Sequence, residues 1–315
     1  MKTEILKLLR ETDGYVSGQQ ISGQFGVSRT AVWKVIRQLQ EDGYQVEAVR
    51  NKGYHIVDSP DVMTKEELAS LMNTRWAGRN ILYYDVTDST NLRIKQAGDE
   101  GAPHGTLAVA DRQTAGRGRR GRTWESPAGS SIYMSILLRP EIAPNKASML
   151  TLVMALNVVE GIQECIGNDR DIQIKWPNDI IINGKKLAGI LTEMSSQIDY
   201  INHVTVGVGI NVNTTDFPEE IAQTATSLRI ECGHTVKRAP LIAAVMERLE
   251  ENYETFLETE DLSGLLDRYN ALLVNCDRDV QIIGAKETYQ AHAIGIDHTG
   301  ELIVRREDGS IEKIN

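Results

Sequence analysis

Apolar residues at spacings of three and four open the chain and give way to strict alternation before position 60. Ile5, Leu6, Leu8 and Leu9 predict one amphipathic helix, and GQQISGQF at 18–25 predicts a second, with Gly26 in the turn that follows. Ser28 sits where an N-cap belongs, ahead of a third helix in which Ala31, Val32, Val35, Ile36 and Leu39 share a face and which Gly43 stops. The opposite face shows Arg29, Thr30, Lys34, Arg37 and Gln38. Next, YQVEAVRNKGYHIV alternates on both sides of Arg50-Asn51-Lys52-Gly53, the pattern of a β-hairpin with a basic tip. Helix, helix, turn, helix and hairpin together predict a winged helix-turn-helix over residues 1–60. Its candidate DNA contacts are Ser28, Arg29, Thr30, Lys34, Arg37, Arg50 and Lys52.

Beyond residue 60 the pattern turns to mixed α/β. Thr64 with Glu67 three residues on has the spelling of a capping box. Strands are expected at 81–86, 106–110, 131–138, 172–175 and 204–212, and helices at about 146–165 and 241–258. Asn183-Gly184 lies between apolar runs and predicts a two-residue type I′ hairpin, which sends Lys185 and Lys186 to opposite faces of a sheet. At most one of these lysines can then face a site. VQIIG, TYQAHAIGID and ELIVRRE, with turns at 298–300 and 308–309, predict a small C-terminal β-barrel. The fold class expected is α+β and multidomain, with a central mixed α/β domain over 61–268 and the barrel over 269–315.

Composition changes this picture little, and charge somewhat more. A chain of 315 residues exceeds the usual single-domain size. The sequence has no unbroken run of eighteen apolar residues and opens on the charged stretch MKTEILKLLRETDG, so neither a membrane span nor a secretory leader is expected and a cytoplasmic protein is. Cys165, Cys232 and Cys276, odd in number and far apart, suit reduced and mostly buried thiols. Residues 1–58 carry eight Lys and Arg against seven Asp and Glu, a balance of +1 on a chain whose total is −10. A module so weakly positive on an acidic body should hold DNA poorly as a monomer, because phosphate neutralisation dominates affinity. Pairing two modules on adjacent half-sites would offset that deficit.

The densest chemistry lies in AGRGRRGRTWESPAG at 115–129, where Arg117, Arg119, Arg120 and Arg122 alternate with three glycines. Such a segment suits neither a core helix nor a central strand. It predicts a loop whose backbone N–H groups can approach a ligand while guanidinium forks close on phosphate oxygens. Its letters match G-x-G-x-x-G, but Pro127 and Gly129 spoil the helix that a dinucleotide site requires. The P-loop signature G-x-x-x-x-G-K-[ST] is absent. Asp88-Ser89-Thr90-Asn91, after a strand, offers short polar groups suited to a carboxylate or a ureido-type ring, and equally a helix cap. Lys175-Trp176-Pro177-Asn178-Asp179 places a cation, a large aromatic and a carboxylate before the hairpin, and by itself could be an ordinary turn.

Together these segments resemble the biotin protein ligases, in the bifunctional form that is also the biotin operon repressor. The resemblance rests on Ser89-Thr90-Asn91, GRGRRGR at 116–122, KWPND at 175–179, KKLAGIL at 185–191 with Glu193, and GVGIN at 207–211, and it spans essentially the whole chain. It implies that Mg-ATP activates biotin to biotinyl-5′-adenylate and that the biotinyl group passes to a lysine of a carboxylase carrier domain. By position it assigns Ser89, Thr90, Asn91, Gln113, Arg117, Gly118, Arg119 and Lys186 to biotin or the acyl phosphate. Arg119, Arg120, Arg122, Trp124, Asn178 and Asn211 fall to ATP or the adenylate. The catalytic set is Lys186, Arg119 and Asp179. Lys186, not Lys185, directly precedes Leu-Ala-Gly. Asp179 stands open between two roles, accepting the proton of the acceptor lysine or facing Mg2+. The resemblance also implies an operator, a homodimer favoured by the adenylate as corepressor, an SH3-like C-terminal barrel and no membrane partner. Two rivals are a ligand-sensing winged-helix transcription factor without ligase chemistry and a lipoate ligase, the latter expected to lack GRGRRGR and a winged helix.

Overall fold

A computed structural model of the chain describes residues 1–284 and 287–315. The N-terminal unit has the expected order: α1 (Lys2–Glu11), α2 (Gly18–Phe25), α3 (Arg29–Glu41), then the hairpin β1 (Gln45–Val49) and β2 (Gly53–Asp58). Ser17 and Gln20 close a reciprocal capping box on α2, and the Ser28 hydroxyl accepts the Ala31 N–H at the start of α3. Ile5, Leu6, Leu9, Ile21, Val32 and Leu39 form a core of their own. Gly53 begins β2 with φ 117° because the chain passes against Val16, where a Cβ would lie 2.1 Å from the Val16 carbonyl oxygen.

The helix α4 (Lys65–Leu71) departs from the expected capping box. Thr64 accepts the Glu67 N–H, but the Glu67 carboxylate does not return the bond. It is buried, taking the Arg10 guanidinium at 2.6 and 2.7 Å and the Tyr44 hydroxyl at 2.6 Å. A buried ion pair with further hydrogen bonds outcompetes a local cap, and it seats the winged helix on the central domain.

The central domain continues with β3 (Ile81–Thr87), α5 (Thr90–Asp99), β4 (Leu107–Gln113), β5 (Ile132–Leu138), α6 (Met149–Ile166), β6 (Ile172–Lys175), β7 (Asp179–Ile182), β8 (Lys185–Ser196) and β9 (Ile201–Ile210). Its seven-stranded sheet runs β3-β4-β5-β9-β8-β7-β6, parallel only between β3 and β4. Alternate residues of β4 and β5 divide between two layers. Leu107, Val109, Met134 and Ile136 join the large core under α6, while Ala108 and Leu137 meet Ile94 of α5 on the other face. The helix α6 is long and apolar enough to cross a membrane, yet most of it is buried in this core.

After α7 (Leu228–Cys232) and α8 (Arg238–Thr259), α9 (Leu266–Leu272) leads into β10 (Arg278–Ile283), β11 (Thr288–Ile296), β12 (Leu302–Arg305) and β13 (Ile311–Ile314). These four strands form an antiparallel sheet in sequence order. The expected barrel therefore appears as an open ladder among the described residues, with β10 and β13 at its two edges. Trp176 ties this sheet to the central domain, its indole N–H donating to the Gly300 carbonyl at 3.0 Å. The three cysteines are free, as expected, but they are not mostly buried: Cys165 is exposed and Cys232 and Cys276 are half-buried.

Candidate functional site

One cleft lies on the α5 side of the sheet, and its floor is cleared by small residues in register. Across β5, β9 and β8, Tyr133 pairs with Gly209 and Gly209 with Gly189; two residues along, Ser135 pairs with Gly207 and Gly207 with Leu191. A Cβ at Gly207 would fall 1.9 Å from Asn91 Oδ1, and one at Gly209 would fall 2.5 Å from Trp124 Cε2. Bare backbone at these positions lets a polar helix start and an indole descend onto the sheet.

The polar start is the first turn of α5. Ser89, Thr90 and Asn91 are buried there and line the cleft. Asp88 holds the turn from outside, accepting the Ser89 N–H at 2.6 Å and Arg93 Nε at 3.0 Å. The Arg93 guanidinium keeps the Asp88 carboxyl down at about 2. Gln113, at the end of β4, accepts the Thr90 N–H at 2.8 Å through Oε1 and donates to Ser126 at 3.1 Å through Nε2.

The arginine segment folds back over this floor as a short hairpin. Trp124 N–H donates to the Gly116 carbonyl at 3.0 Å, Gly118 N–H to the Arg122 carbonyl at 2.7 Å, and Arg120 takes φ 57° at the tip. Arg117, Gly118 and Arg119 line the cleft, and Arg119 donates to Asn178 Oδ1 at 2.8 Å. Arg120 and Arg122 are exposed outside it. The Trp124 indole lies inside, its N–H buried and without a hydrogen-bond partner among the described residues.

The Asn183-Gly184 turn has φ 50° and 75°, as a type I′ hairpin requires, and it separates the two lysines as expected. Lys185 is exposed. Lys186 lines the cleft, with Nζ 2.7 Å from Asp179 Oδ1 and 5.5 Å from the Trp124 ring centre. The sequence motifs at 89–91, 113, 117–119, 124, 178 and 186 thus converge on one cavity, with Asp179 reaching it through Lys186. Asn211 lies apart from the lining, its amide donating to the Thr226 carbonyl at 3.1 Å. Sequence reading missed Ser135, which is fully buried beneath Thr90 and Asn91, and the contact of Glu193 with Asn91. Alternation in β5 already placed Ser135 on the face away from the core, which was the available signal.

A second groove separates α3 from the wing. Arg29, Thr30, Arg50 and Asn51 line it, together with Trp33, which is 53% exposed and stacks under Arg37 at 5.8 Å. Lys34 and Arg37 are exposed on the same helix. A bare tryptophan beside basic groups suits a surface made for base edges and phosphates.

Comparison with known proteins places a family profile over each of these two regions. The profile of the Biotin/lipoate A/B protein ligase family matches residues 83–211, and that of an HTH domain matches residues 2–55. The chain is 39% identical to the bifunctional ligase/repressor BirA of Bacillus subtilis over 317 aligned residues, covering 100% of this chain and 96% of that protein. It is 32% identical to the Escherichia coli protein of the same name, covering 94% and 89%. Among solved structures, the biotin protein ligase of Aquifex aeolicus in complex with biotin and ATP superposes with a TM-score of 0.66 at 32% identity, covering 75% of this chain and 95% of that one. Sharing the cleft fold with such a ligase, and the whole length with ligase/repressors, the chain belongs to the biotin protein ligases of the bifunctional ligase/repressor family.

Proposed function

We propose that the cleft joins biotin to ATP and that the product adenylate serves both halves of the molecule. In the first step a biotin carboxylate oxygen attacks the α-phosphorus, the bond to the β-phosphate breaks, and pyrophosphate leaves. Two anions must meet, so the site has to neutralise both, and Lys186 with Arg117 and Arg119 supplies that charge. In the second step the neutral amine of a carrier-domain lysine attacks the acyl carbon, AMP leaves, and one proton is lost as the amide forms. The intermediate is a mixed anhydride prone to hydrolysis, which a hairpin closed over it would shield from water.

Ser89, Thr90, Asn91 and Gln113 are proposed to hold the biotin ring, and the arginine hairpin with Trp124 and Asn178 the adenylate. Arg120 and Arg122 would join on closure, and Asn211 would act by holding the 224–228 turn in place. Asp179 positions Lys186 through the 2.7 Å ion pair. Asp179 is the carboxylate proposed to face an ion that arrives on the ATP phosphates. Bound there, Mg2+ would neutralise phosphate charge.

The observation that carries this reading is the convergence of Lys186, the hairpin arginines and the 89–91 turn on one cavity. Pyrophosphate release that requires both biotin and ATP is the expected result; ligand binding without it would leave a sensor with no ligase chemistry. For the repressor half, we propose that the adenylate favours a homodimer, so that two weakly basic winged helices reach adjacent half-sites. Tenfold tighter binding of ligand to the dimer supplies about 1.4 kcal/mol per site. Abundant carrier domain would consume the adenylate and release the operator. With 1–60, 61–268 and 269–315 as working domains, a chain beginning near Pro60 should ligate biotin and bind no operator. Operator affinity with and without biotin plus ATP, alongside sedimentation, tests the coupling; equal affinity in both conditions would leave the ligase alone standing.

A further inference from the structure

Arg29, Trp33 and Arg37 follow one another at intervals of four along α3, so the indole stands one turn, about 6 Å along the axis, from an arginine on either side. All three are exposed, while Val32, Val35 and Ile36 hold the other side of the helix in the core of the N-terminal unit. Trp33 is 53% exposed, and Val49, the last residue of β1, is 38% exposed and lines the same groove from the wing. Arg29 and Arg50 line the groove beside them.

A single apolar side chain on a surface needs no explanation. Two that line one groove, walled by cations, do need one, because an indole left half in water forgoes the largest burial any side chain can offer. The mixture defines what the groove can receive. Guanidinium groups suit phosphates and base acceptors, and an apolar patch suits carbon. In the major groove the base edges present hydrogen-bonding nitrogen and oxygen atoms and one apolar group, the C5 methyl of thymine.

We infer that Trp33 is the residue through which this chain recognises thymine, its indole face packing on the C5 methyl in the major groove of the operator. The inference rests on the proposed operator binding and names the chemical group that is read. It also explains how a unit with a balance of only +1 selects a sequence: a methyl contact adds discrimination without adding charge, whereas phosphate contacts add affinity without discrimination.

The test uses the full chain with biotin and ATP to select duplexes from a random pool, and the recovered duplex is the probe. Replacing its thymines by uracil one at a time removes a methyl and nothing else. In the wild type, uracil at one position of each half-site should weaken binding about fourfold, the cost of returning one methyl to water. Trp33→Ala, at an exposed helical position that alanine suits, should bind thymine and uracil duplexes within about 1.5-fold of each other. Trp33→Phe keeps an apolar ring without the N–H and should still prefer thymine by about twofold. A merely structural role would weaken both duplexes in parallel and leave the fourfold preference in Trp33→Ala, which overturns the inference. So does a Trp33→Phe chain indifferent to the methyl, since the indole N–H would then be the reading group. Enrichment of a sequence whose thymines can all become uracil without loss overturns this inference alone. A pool that yields no enriched sequence overturns the operator reading and this inference together.

Discussion

On the floor of the cleft, Thr90, Asn91 and Ser135 are buried and hydrogen-bonded to one another, to Gln113 and to Glu193, while on the hairpin above them Arg117 stands exposed at the cleft and Arg120 and Arg122 project into solvent outside it. Of the four hairpin arginines only Arg119 has a side-chain hydrogen bond among the described residues, to Asn178. The floor has been ordered by folding, so a ligand that lands on it loses little further entropy to orientation. The hairpin holds charge in reserve, to be used when a phosphate arrives. Shape and group identity are thus read by a rigid surface, and the reactive phosphate is enclosed by an adjustable one.

The sharpest way to break this division is at the one cation that belongs to the floor. Lys186→Ala should slow adenylate formation by about 100- to 1000-fold, the effect of removing one group that stabilises transition-state charge, about 2.7–4 kcal/mol. Lys185→Ala should leave the rate within about twofold, as the exposed face of the hairpin takes no part. Single-turnover formation of the adenylate is the measurement. Equal losses in the two variants would remove the assignment.

Glycine substitution probes the same contrast next. A Cβ at Gly207 must displace Asn91 Oδ1 or shift β9, and overpacking of that kind costs about 1–3 kcal/mol. Gly207→Ala should therefore weaken biotin binding by about 10- to 100-fold in calorimetry. At Gly118 the nearest atom to a Cβ is the Arg122 carbonyl oxygen at 3.5 Å, so Gly118→Ala should weaken it only a few-fold. Comparable losses at both positions would mean that the hairpin is as tightly packed as the floor.

Much of this contrast was legible in the residues, and unevenly so. The hairpin arginines announced themselves because glycine and guanidinium alternate where no core element could use them, and Asn183-Gly184 fixed which lysine enters. The winged helix was equally legible, since caps, period and turn chemistry agree locally. What stayed hidden depends on partners far apart in the chain. Glu67 spells a capping box with Thr64, but its burial against Arg10 and Tyr44 decides otherwise. Ser135 looks like an ordinary strand serine until Asn91 is laid over it. Asn211 sits beside a glycine-rich strand end yet spends its amide on Thr226. The strand at 311–314 was too short and too polar for its period to declare it.

A smaller effect is expected from loosening the hairpin. Replacing Arg119 by Gly removes the bond to Asn178, and replacing Arg120 by Gly removes a charge while suiting the positive φ of the tip. Both variants should release adenylate several-fold faster than wild type, with biotin affinity nearly unchanged, because the floor is untouched. Untargeted biotinylation of a bystander protein reads the escape. If bystander labelling stays at the wild-type level while turnover falls, the hairpin acts in the chemistry and not as a cover.

The smallest expected effect lies at the outer support of the floor. Asp88 accepts the Ser89 N–H and pairs with Arg93, so its carboxylate braces the turn that carries Ser89, Thr90 and Asn91. Its carboxyl is held at about 2, below an ordinary value of 3.8, first by the hydrogen bond from Arg93. A depressed pKa contributes stability that is fully present above the ordinary value and fades as pH falls toward the folded one, here between about 4 and 2. The side chain is 37% exposed, so solvent screening limits the contribution to no more than about 1 kcal/mol. Asp88→Asn should accordingly lower the urea midpoint slightly at pH 7, and its difference from wild type should narrow as pH drops below about 4, where the wild-type carboxylate begins to take up its proton. Biotin affinity should move less than about twofold at pH 7, because the inner network of Gln113, Ser135 and Glu193 still orients Thr90 and Asn91. A larger loss of affinity than of stability would show that the floor is ordered from outside by Asp88, and the rigidity ascribed to its buried hydrogen bonds would have to be given up.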